Sequence, residues 1–286
     1  MPKGAFKIDV ADKPEGKYLF EIHAETLLRA NTQYGVTIPW YIMTSRENSK
    51  QTEDFLKEHD YFGYPIEYLK IFQQEELPLL DVEGKFVIDK NSLVKKASNG
   101  NGGVFSSLEK HGLIEDMHSR GVKWIFIGGV DNVLLKMVDT NLIGLCLKNK
   151  TDIAAKTVLK NSPEEKAGVF CKQNGKIRII EYTEMPKDLS EKVKEDGELV
   201  FGEINIISNL FSVEAVGKAA TQDMPYHVAF KKGCYKFEKF IFDAFALFDN
   251  ISILRGAREH DFAPIKNATG VDSPQTAVEL YDNYWR

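Results

Sequence analysis

Short apolar runs that alternate with helix-like segments are the feature that most restricts the fold of this chain. The runs VTIPWYIMTS (36–45), VKWIFIGGV (122–130) and EINIISNLFS (203–212) are rich in β-branched and aromatic residues, as buried strands are. YLFEIHAETLLRANTQ (18–33) instead spaces its apolar residues as a helix does. This alternation predicts an α/β fold with a mostly parallel, doubly wound, Rossmann-like sheet.

Two local predictions add detail. Asn174-Gly175 is the dipeptide of a tight turn and predicts a β-hairpin around it. The closely spaced phenylalanines of YKFEKFIFDAFALF (235–248) predict a helix. Because no internal repeat, low-complexity segment or Pro/Gly/Ser linker interrupts the pattern, we expect residues 1–286 to form a single domain.

Composition excludes several functional classes. The net charge is −5 and the basic residues are scattered among acidic ones, so nucleic acid is not an expected partner. The apolar runs are far shorter than a bilayer span, and no secretory pattern opens the chain, so no membrane partner is expected. Cys146, Cys171 and Cys234 lack a CxxC pair and are typical of free thiols. We therefore expect a cytoplasmic protein.

Polar residues that follow predicted strands are candidate ligand contacts, because α/β sheets bind ligands at the carboxyl ends of their strands. Asp131 ends an apolar strand, where it can hold Mg²⁺ beside a phosphate or simply cap a following helix. The amide of Gln74 can read a base edge or be solvated. Lys3 and Lys266 can meet phosphate groups or serve only solubility.

The stretch SNGNGG (98–103) stands directly before a helix-like run, 104–111. Glycines allow positive φ and a close approach of the backbone to a ligand, and a helix N-terminus favours anions. The stretch has neither the Walker nor the GxGxxG spacing, so a ligand-contacting loop and a plain surface turn both stay open. The phenylalanines at 237, 240, 242 and 245 are either core or the floor of a sugar pocket.

A series of motifs in a fixed order resembles the eukaryotic-type UDP-N-acetylglucosamine pyrophosphorylases over nearly the whole chain. The motifs are MPKGAFKIDV, IPWYIMTS, YFGYPIEYLKIFQQEELP, SNGNGGVFSSL, GVDNVLLKMVD, EYTEM, INIISNLF, YHVAFKKG, FEKFIFDAF and REHDFAPIKNATG.

This resemblance implies a catalytic domain of the nucleotide-diphospho-sugar transferase (GT-A-like) type. It implies a nucleotidyltransferase that makes UDP-N-acetylglucosamine and pyrophosphate from UTP and N-acetylglucosamine 1-phosphate, with Mg²⁺. The attacking phosphate needs no deprotonating base, so catalysis would come from positioning and from cations. By the same resemblance the uracil is contacted by Gln74, Gly100 and Asn101, the phosphates by Lys3, Asp131 and Lys266, the metal by Asp131, and the sugar by Glu181, Asn205, Phe240 and Phe242.

One family element is not in this sequence. The glycine-rich signature Leu-x-Gly-Gly-x-Gly-Thr-x-Leu-Gly shortly precedes the Pro-Lys-Gly segment, which here is residues 2–4. We therefore expect a chain truncated at its N-terminus, or else a short relative with impaired catalysis. Loss of that strand from the centre of the sheet predicts an unpaired strand edge and puts the activity of residues 1–286 alone in doubt.

Three other functions remain open. A UDP-glucose or broad UDP-sugar pyrophosphorylase shares the layout, although an apolar wall of Phe240 and Phe242 favours an N-acetyl sugar because it suits a methyl-bearing amide. A non-catalytic UDP-sugar-binding fragment fits the missing loop. An unrelated α/β binding module requires the order of the motifs to be coincidence. The oligomeric state is not predicted by the sequence.

Overall fold

The computed structural model describes residues 1–285. Its strands are β1 (Lys7–Val10), β2 (Lys13–Tyr18), β3 (Trp40–Thr44), β4 (Leu69–Gln73), β5 (Glu76–Pro78), β6 (Lys96–Ser98), β7 (Trp124–Gly128), β8 (Ile153–Leu159), β9 (Val169–Gln173), β10 (Lys176–Ile180), β11 (Glu203–Ser212), β12 (His227–Lys231), β13 (Cys234–Glu238) and β14 (Ser252–Arg255). Its α-helices are α1 (Leu19–Tyr34), α2 (Ser49–Glu58), α3 (Val104–Lys110), α4 (Leu113–Ser119), α5 (Thr140–Asn149), α6 (Lys187–Ser190), α7 (Val213–Ala220), α8 (Arg258–Asp261) and α9 (Pro274–Trp285).

The central sheet has the order β10-β9-β11-β8-β14, and β7 pairs with β11 as well. Within it β8 and β14 run parallel, while β11 is antiparallel to β7, β8 and β9. Strands β3 and β4 form a separate parallel pair. The α/β prediction is confirmed, but the sheet is mixed and the prediction of a mostly parallel one is wrong. Apolar content reports that a strand is buried and carries no information on its direction, which is why the sequence misled.

Strand β11 is long because a bulge lets it serve different neighbours along its length. Its register against β8 shifts between Asn205 and Asn209, and Ile207 within the bulge has φ 50°. The side-chain oxygen of Asn205 accepts from the backbone N–H of Ile207 at 3.1 Å and supports this conformation. Bulges bend a strand and re-aim its side chains, and here the bond to Ile207 ties the side chain of Asn205 to the bulge.

Helices cover both faces of the central sheet. On one face α3, α4 and α7 enclose a core in which Phe105 and Phe211 meet edge to face with centroids 5.4 Å apart. On the other face α5 packs Leu142 and Cys146 against Leu210. Phe211 is fully buried, so its replacement by alanine is expected to cost about 3–5 kcal/mol.

Two local predictions are confirmed and one is wrong. Helix α1 lies where the apolar spacing predicts it, and Asn174-Gly175 turns the β9–β10 hairpin with φ values of 52° and 80°. The helix predicted over 235–248 is instead β13 followed by the 3-10 helix Ile241–Leu247. Tyr235 and Phe237 alternate with charged residues, so the period there is that of a strand and β13 pairs with β12.

Among residues 1–285, no helix combines the length and the apolar character needed to cross a bilayer.

Candidate functional site

The glycine loop (residues 98–103) lies between the end of β4 and the segment that follows β13. The backbone N–H of Asn99 donates to the carbonyl oxygen of Glu75 at 3.1 Å, and its own carbonyl oxygen accepts from the N–H of Lys239 at 2.6 Å. The N–H of Gly102 returns a bond to the carbonyl oxygen of Lys239 at 2.9 Å. Gly102 and Gly103 are buried, so the alternative of a plain surface turn is wrong.

Glycine is required in this loop by the approach of a second backbone. Gly100 has φ 89°, and a Cβ there would overlap the carbonyl oxygen of Lys239. A Cβ on Gly102 would lie 2.6 Å from the carbonyl carbon of Phe240. The sequence analysis expects these glycines to let the backbone approach a ligand, whereas the close neighbour of Gly100 and Gly102 in the structure is the chain at 239–240.

Asn101 connects the glycine loop to the aromatic segment (residues 240–242). Its side-chain oxygen accepts from the backbone N–H of Ile241 at 2.9 Å, at the first residue of the 3-10 helix. The rings of Phe240 and Phe242 stack beside this bond with centroids 5.1 Å apart and planes 22° from parallel. Phe242 is buried in the core and Phe240 is only half-buried, so of this pair it is Phe240 that presents surface to a ligand.

Gln74 lies at the end of β4 with its side-chain oxygen enclosed. Its backbone N–H donates to the carbonyl oxygen of Thr44 at 2.8 Å, which ties the ends of β3 and β4 together. The Oε1 atom is buried and has no hydrogen-bond partner among residues 1–285. The carbonyl end of the Gln74 amide is therefore not solvated, while the residue as a whole is half-buried. A buried acceptor left unpaired costs about 1–3 kcal/mol, which favours a donor from outside the chain at this position.

Glu181 and Asn205 meet around a glycine that the sequence analysis did not single out. The backbone N–H of Asn205 donates to the carbonyl oxygen of Gly168 at 2.9 Å, and a Cβ on Gly168 would lie 2.7 Å from Oε1 of Glu181. Burial raises the pKa of the Glu181 carboxyl, and the charge of Glu184 raises it further. Gly168 has no local motif to reveal it, because its importance comes from residues distant in the chain.

Lys3 and Asp131 form a corner at the end of β7. Nζ of Lys3 lies 3.2 Å from Oδ2 of Asp131, with the lysine side chain 70% exposed. The carbonyl oxygen of Asp131 accepts from the N–H of Ile265 at 2.9 Å. The backbone of Lys266, the next residue, is therefore close to Asp131. The amine of Lys266 instead pairs with Asp272 at 3.3 Å. The structure therefore brings Lys3 to Asp131 but not the ammonium of Lys266.

Asp131 does not cap a helix. The next α-helix begins at Thr140, and its cap is Asp139, whose carboxylate accepts from the N–H of Asn141 at 3.0 Å. The helix-capping alternative for Asp131 is therefore wrong. Within residues 1–285 no group of three or more His, Cys, Asp or Glu side chains is arranged to hold a metal ion. A single carboxylate fits Mg²⁺, which proteins often bind through one or two carboxylates together with substrate phosphates.

A buried network that the sequence analysis missed lies beneath this corner. The side chain of Asn132 accepts from the N–H of Ala263 and donates to the carbonyl oxygen of Asp261, both at 2.8 Å. Lys156 is buried between the carboxylates of Asp139 and Asp261. Burial lowers the pKa of Lys156, but the two carboxylates outweigh it and hold the pKa above its usual value. A charged residue in the middle of the apolar run TDIAAKTVLK was the available signal.

Strands β3 and β7 each leave one edge unpaired and line a common cleft. Among the described residues β3 pairs only with β4, and β7 only with β11. The cleft has a volume of about 460 Å³, and its walls include Trp40 and Ile42 from β3 and Trp124 and Phe126 from β7. The predicted unpaired strand edge is confirmed. Lys3 and Asp131 also line this cleft, so the Lys3–Asp131 corner borders it.

Comparisons with known proteins agree with the fold and the motifs. The family model for UTP–glucose-1-phosphate uridylyltransferase matches residues 1–272. The chain is 36% identical to UDP-N-acetylglucosamine diphosphorylase 2 of Arabidopsis thaliana, over 96% of this chain and 60% of that protein. It is 34% identical to the UDP-N-acetylglucosamine pyrophosphorylase of Saccharomyces cerevisiae, over 98% of this chain and 64% of that protein.

A solved structure agrees as well. The crystal structure of the UDP-N-acetylglucosamine pyrophosphorylase of Trypanosoma brucei in complex with an inhibitor matches with a TM-score of 0.87 and 30% identity, over 98% of this chain and 61% of that one. The present chain spans about 60% of the length of the first curated relatives it matches. The chain belongs to the UTP–glucose-1-phosphate uridylyltransferase family, and its relatives there include the UDP-N-acetylglucosamine pyrophosphorylases that its motifs resemble.

Proposed function

We propose that this chain carries the substrate site of a uridylyltransferase that forms UDP-N-acetylglucosamine and pyrophosphate from UTP and N-acetylglucosamine 1-phosphate. The observation that carries the proposal is the buried, unpaired Oε1 of Gln74. Gln74 directly precedes Glu75, whose carbonyl oxygen accepts from the N–H of Asn99 in the glycine loop. Uracil presents an N3–H donor between two carbonyl acceptors. A glutamine amide complements that edge by accepting from N3–H and donating to a carbonyl.

The rest of the substrate follows from the loop and its neighbours. Gly100 carries no side chain and the side chain of Asn101 is bonded to Ile241, so we expect the backbone of this loop to receive the flat face of a base. Glu181 and Asn205, on either side of Gly168, offer acceptors and a donor to sugar hydroxyls. The half-buried face of Phe240 offers an apolar surface to the methyl group of an N-acetyl substituent.

At the phosphates an oxygen of the sugar phosphate attacks the α-phosphorus of UTP, and the bond to pyrophosphate breaks. Lys3 would neutralise charge on the phosphates, and Lys266 would join it by exchanging its ion pair with Asp272 for a phosphate. A partly exposed ion pair is worth about 0–1 kcal/mol, so this exchange costs little. Asp131 would hold Mg²⁺, which supplies further neutralisation of the phosphate charge when bound. We place this activity in the cytoplasm, where free thiols such as those of the three cysteines persist.

The test is pyrophosphorolysis. Purified residues 1–286 would be incubated with UDP-N-acetylglucosamine, pyrophosphate and Mg²⁺ while UTP formation is followed. We expect Asp131→Ala to abolish turnover and the exposed Asp188→Ala to leave it unchanged. Equal loss in both variants would contradict the role of Asp131. Turnover with glucose 1-phosphate in the reverse direction that equals or exceeds turnover with the N-acetyl sugar would replace the proposed substrate.

The cleft between β3 and β7 favours a second candidate, a UDP-sugar binder that does not turn over. The unpaired edges of β3 and β7 border the Lys3–Asp131 corner, so the protein would contact the phosphates on fewer sides than the uracil. This candidate predicts UDP-N-acetylglucosamine binding without release of UTP at any Mg²⁺ concentration. A longer polypeptide that carries the glycine-rich signature upstream would then be assayed, and gain of turnover would decide for the transferase.

A further inference from the structure

His227, at the start of β12, has a carboxylate at each of its ring nitrogens. Nδ1 lies 2.9 Å from Oε1 of Glu184, and Nε2 lies 3.1 Å from Oδ2 of Asp243. A neutral imidazole has one N–H and can donate to only one of these carboxylates, whereas an imidazolium donates to both. This geometry therefore selects the protonated ring.

The two carboxylates belong to the two segments that border the proposed sugar pocket. Glu184 closes the turn that begins at Glu181, where its backbone N–H donates to the carbonyl oxygen of Glu181 at 2.9 Å. Asp243 accepts from the backbone N–H of Phe240 at 3.2 Å and so shapes the start of the aromatic segment. The imidazole ring itself lies 4.7 Å from the ring of Phe240. His227 thus connects the carboxylate side of the pocket to its aromatic side.

The charges around His227 are almost all negative. Glu181 and Glu184 face it from the turn after β10, Asp243 from the 3-10 helix, and Glu238 lies opposite it on β13 in a pair with Lys236. Burial lowers the pKa of His227, but the hydrogen bond that its ring donates to Glu184 and the charge of Asp243 outweigh burial and raise the pKa. Burial raises the pKa of Asp243, and the imidazolium opposes this.

We propose that His227 is a positioning residue for the sugar, which as an imidazolium holds the Glu181 turn against Phe240 and so sets the selectivity of the pocket for an N-acetyl sugar. This inference rests on the proposed function. Loss of the ring charge frees one of the two carboxylates, and the Glu181 turn can then move away from the aromatic segment. The glycine loop, which would contact the uracil, is held by its own hydrogen bonds to residues 239 and 241 and keeps its geometry.

The experiment compares the affinities of UDP, UDP-glucose and UDP-N-acetylglucosamine for the wild type and for variants by titration calorimetry. In His227→Gln, which keeps one bridge, we expect UDP-N-acetylglucosamine to bind about tenfold more weakly while the affinity for UDP changes less than about twofold. His118→Gln, a substitution at an exposed histidine on α4, should change neither. Glu184→Ala removes one bridge at a half-exposed position and should reproduce the effect without unfolding the protein.

The dependence on pH separates positioning from a purely structural role. Because the imidazolium is the holding form, the preference for UDP-N-acetylglucosamine over UDP-glucose should be highest below the pKa of His227. It should be lost as the pH rises through that pKa, which is measured by NMR of the ring. In His227→Gln the preference should not vary with pH over this range. A preference that is independent of pH in the wild type overturns the proposal.

The remaining outcomes are distinct. If His227→Gln weakens UDP and UDP-N-acetylglucosamine equally, the residue acts on the fold as a whole and the positioning role is wrong. If it weakens neither ligand, the role is equally wrong. If the folded wild type binds no uridine nucleotide at all, the proposed function fails and the positioning role falls with it.

Discussion

The uracil side of the proposed site and its phosphate corner are built differently. The glycine loop is bonded through its backbone to residues 75 and 239 and is so close to residue 240 that side chains are excluded. The corner presents to solvent one ion pair of Lys3, 70% exposed, with Asp131, and it borders an apolar cleft with unpaired strand edges. The uracil side is ordered by hydrogen bonds within the chain, whereas the Lys3–Asp131 corner presents charged groups that few other residues contact.

The difference separates binding from turnover. Preorganised contacts give affinity, whereas phosphoryl transfer depends on cations held within about 0.5 Å of a productive position. An exposed ion pair contributes about 0–1 kcal/mol and holds no such geometry by itself. We therefore expect nucleotide binding to depend mainly on the loop, and turnover to depend on whatever further structure encloses the corner.

The largest effect is expected beneath the corner. Lys156→Met leaves the buried Asp139 without its cation and leaves Asp261 with only the partly exposed Lys136, and removing one partner of a buried pair typically destabilises by about 3–5 kcal/mol. Urea unfolding would measure the free energy, with the exposed Lys148→Met as the control that should change little. A loss below about 1 kcal/mol would show that the base of the corner is as loose as its surface.

The same network predicts a dependence of stability on pH. Burial raises the pKa of Asp139, but Lys156 outweighs it and holds the pKa below its usual value. A carboxyl whose pKa is depressed by folding stabilises the protein above its unfolded pKa, about 4, and that stability is lost as the pH falls through the folded pKa. The free energy of unfolding should therefore decrease below about pH 4. Lys156→Met should flatten this decrease.

The next effect tests how tightly the loop is closed. Gly100→Ala adds a Cβ at φ 89° that overlaps the carbonyl oxygen of Lys239, so we expect a loss of about 3 kcal/mol of unfolding free energy from strain and overpacking. Gly112→Ala is the matched control, because Gly112 has φ 66° but no atom near its Cβ position. It should lose only about 1 kcal/mol. Equal losses would mean that the loop is not held against residue 239.

Gln74→Leu tests whether the orphaned oxygen serves a ligand. Without that acceptor the affinity for UDP should fall about 10- to 100-fold, since a hydrogen bond to the base is lost. The free energy of unfolding should stay the same or rise by about 1 kcal/mol, because a buried unpaired acceptor is removed. The adjacent and exposed Gln73→Leu is the control for both measurements. A fall in the free energy of unfolding with unchanged affinity for UDP would contradict the role of Gln74 in binding the base.

Part of this arrangement could be predicted from the sequence because it is local. Apolar runs locate β3, β7 and β11, and the polar residues that follow strands include Gln74 and Asp131. Strand direction could not be predicted, because burial gives the same residues to parallel and antiparallel neighbours. Phenylalanines at helical spacing concealed β13, whose period of two is visible only over Tyr235 and Phe237.

The contacts that shape the site could not be predicted because they join distant residues. Gly168 matters through Glu181 and Asn205, and His227 through Glu184 and Asp243. None of these pairs has a spacing that a helix or a strand would impose. A lone glycine or histidine gives no signal until the fold supplies its neighbour, whereas a buried lysine in an apolar strand does, since it requires a counter-charge.

The smallest expected effect concerns the exposed half of the corner. Lys3→Ala should change the free energy of unfolding by less than about 0.5 kcal/mol, as should Lys50→Ala, which removes a comparably exposed ion pair. The affinity for UTP should fall about threefold at low salt only in Lys3→Ala, and the fall should vanish at high salt because exposed charges are screened. The affinity for uridine, which has no phosphate, should not change. A loss of uridine affinity would mean that Lys3 supports the base side as well, and the division between the two sides of the site would no longer hold.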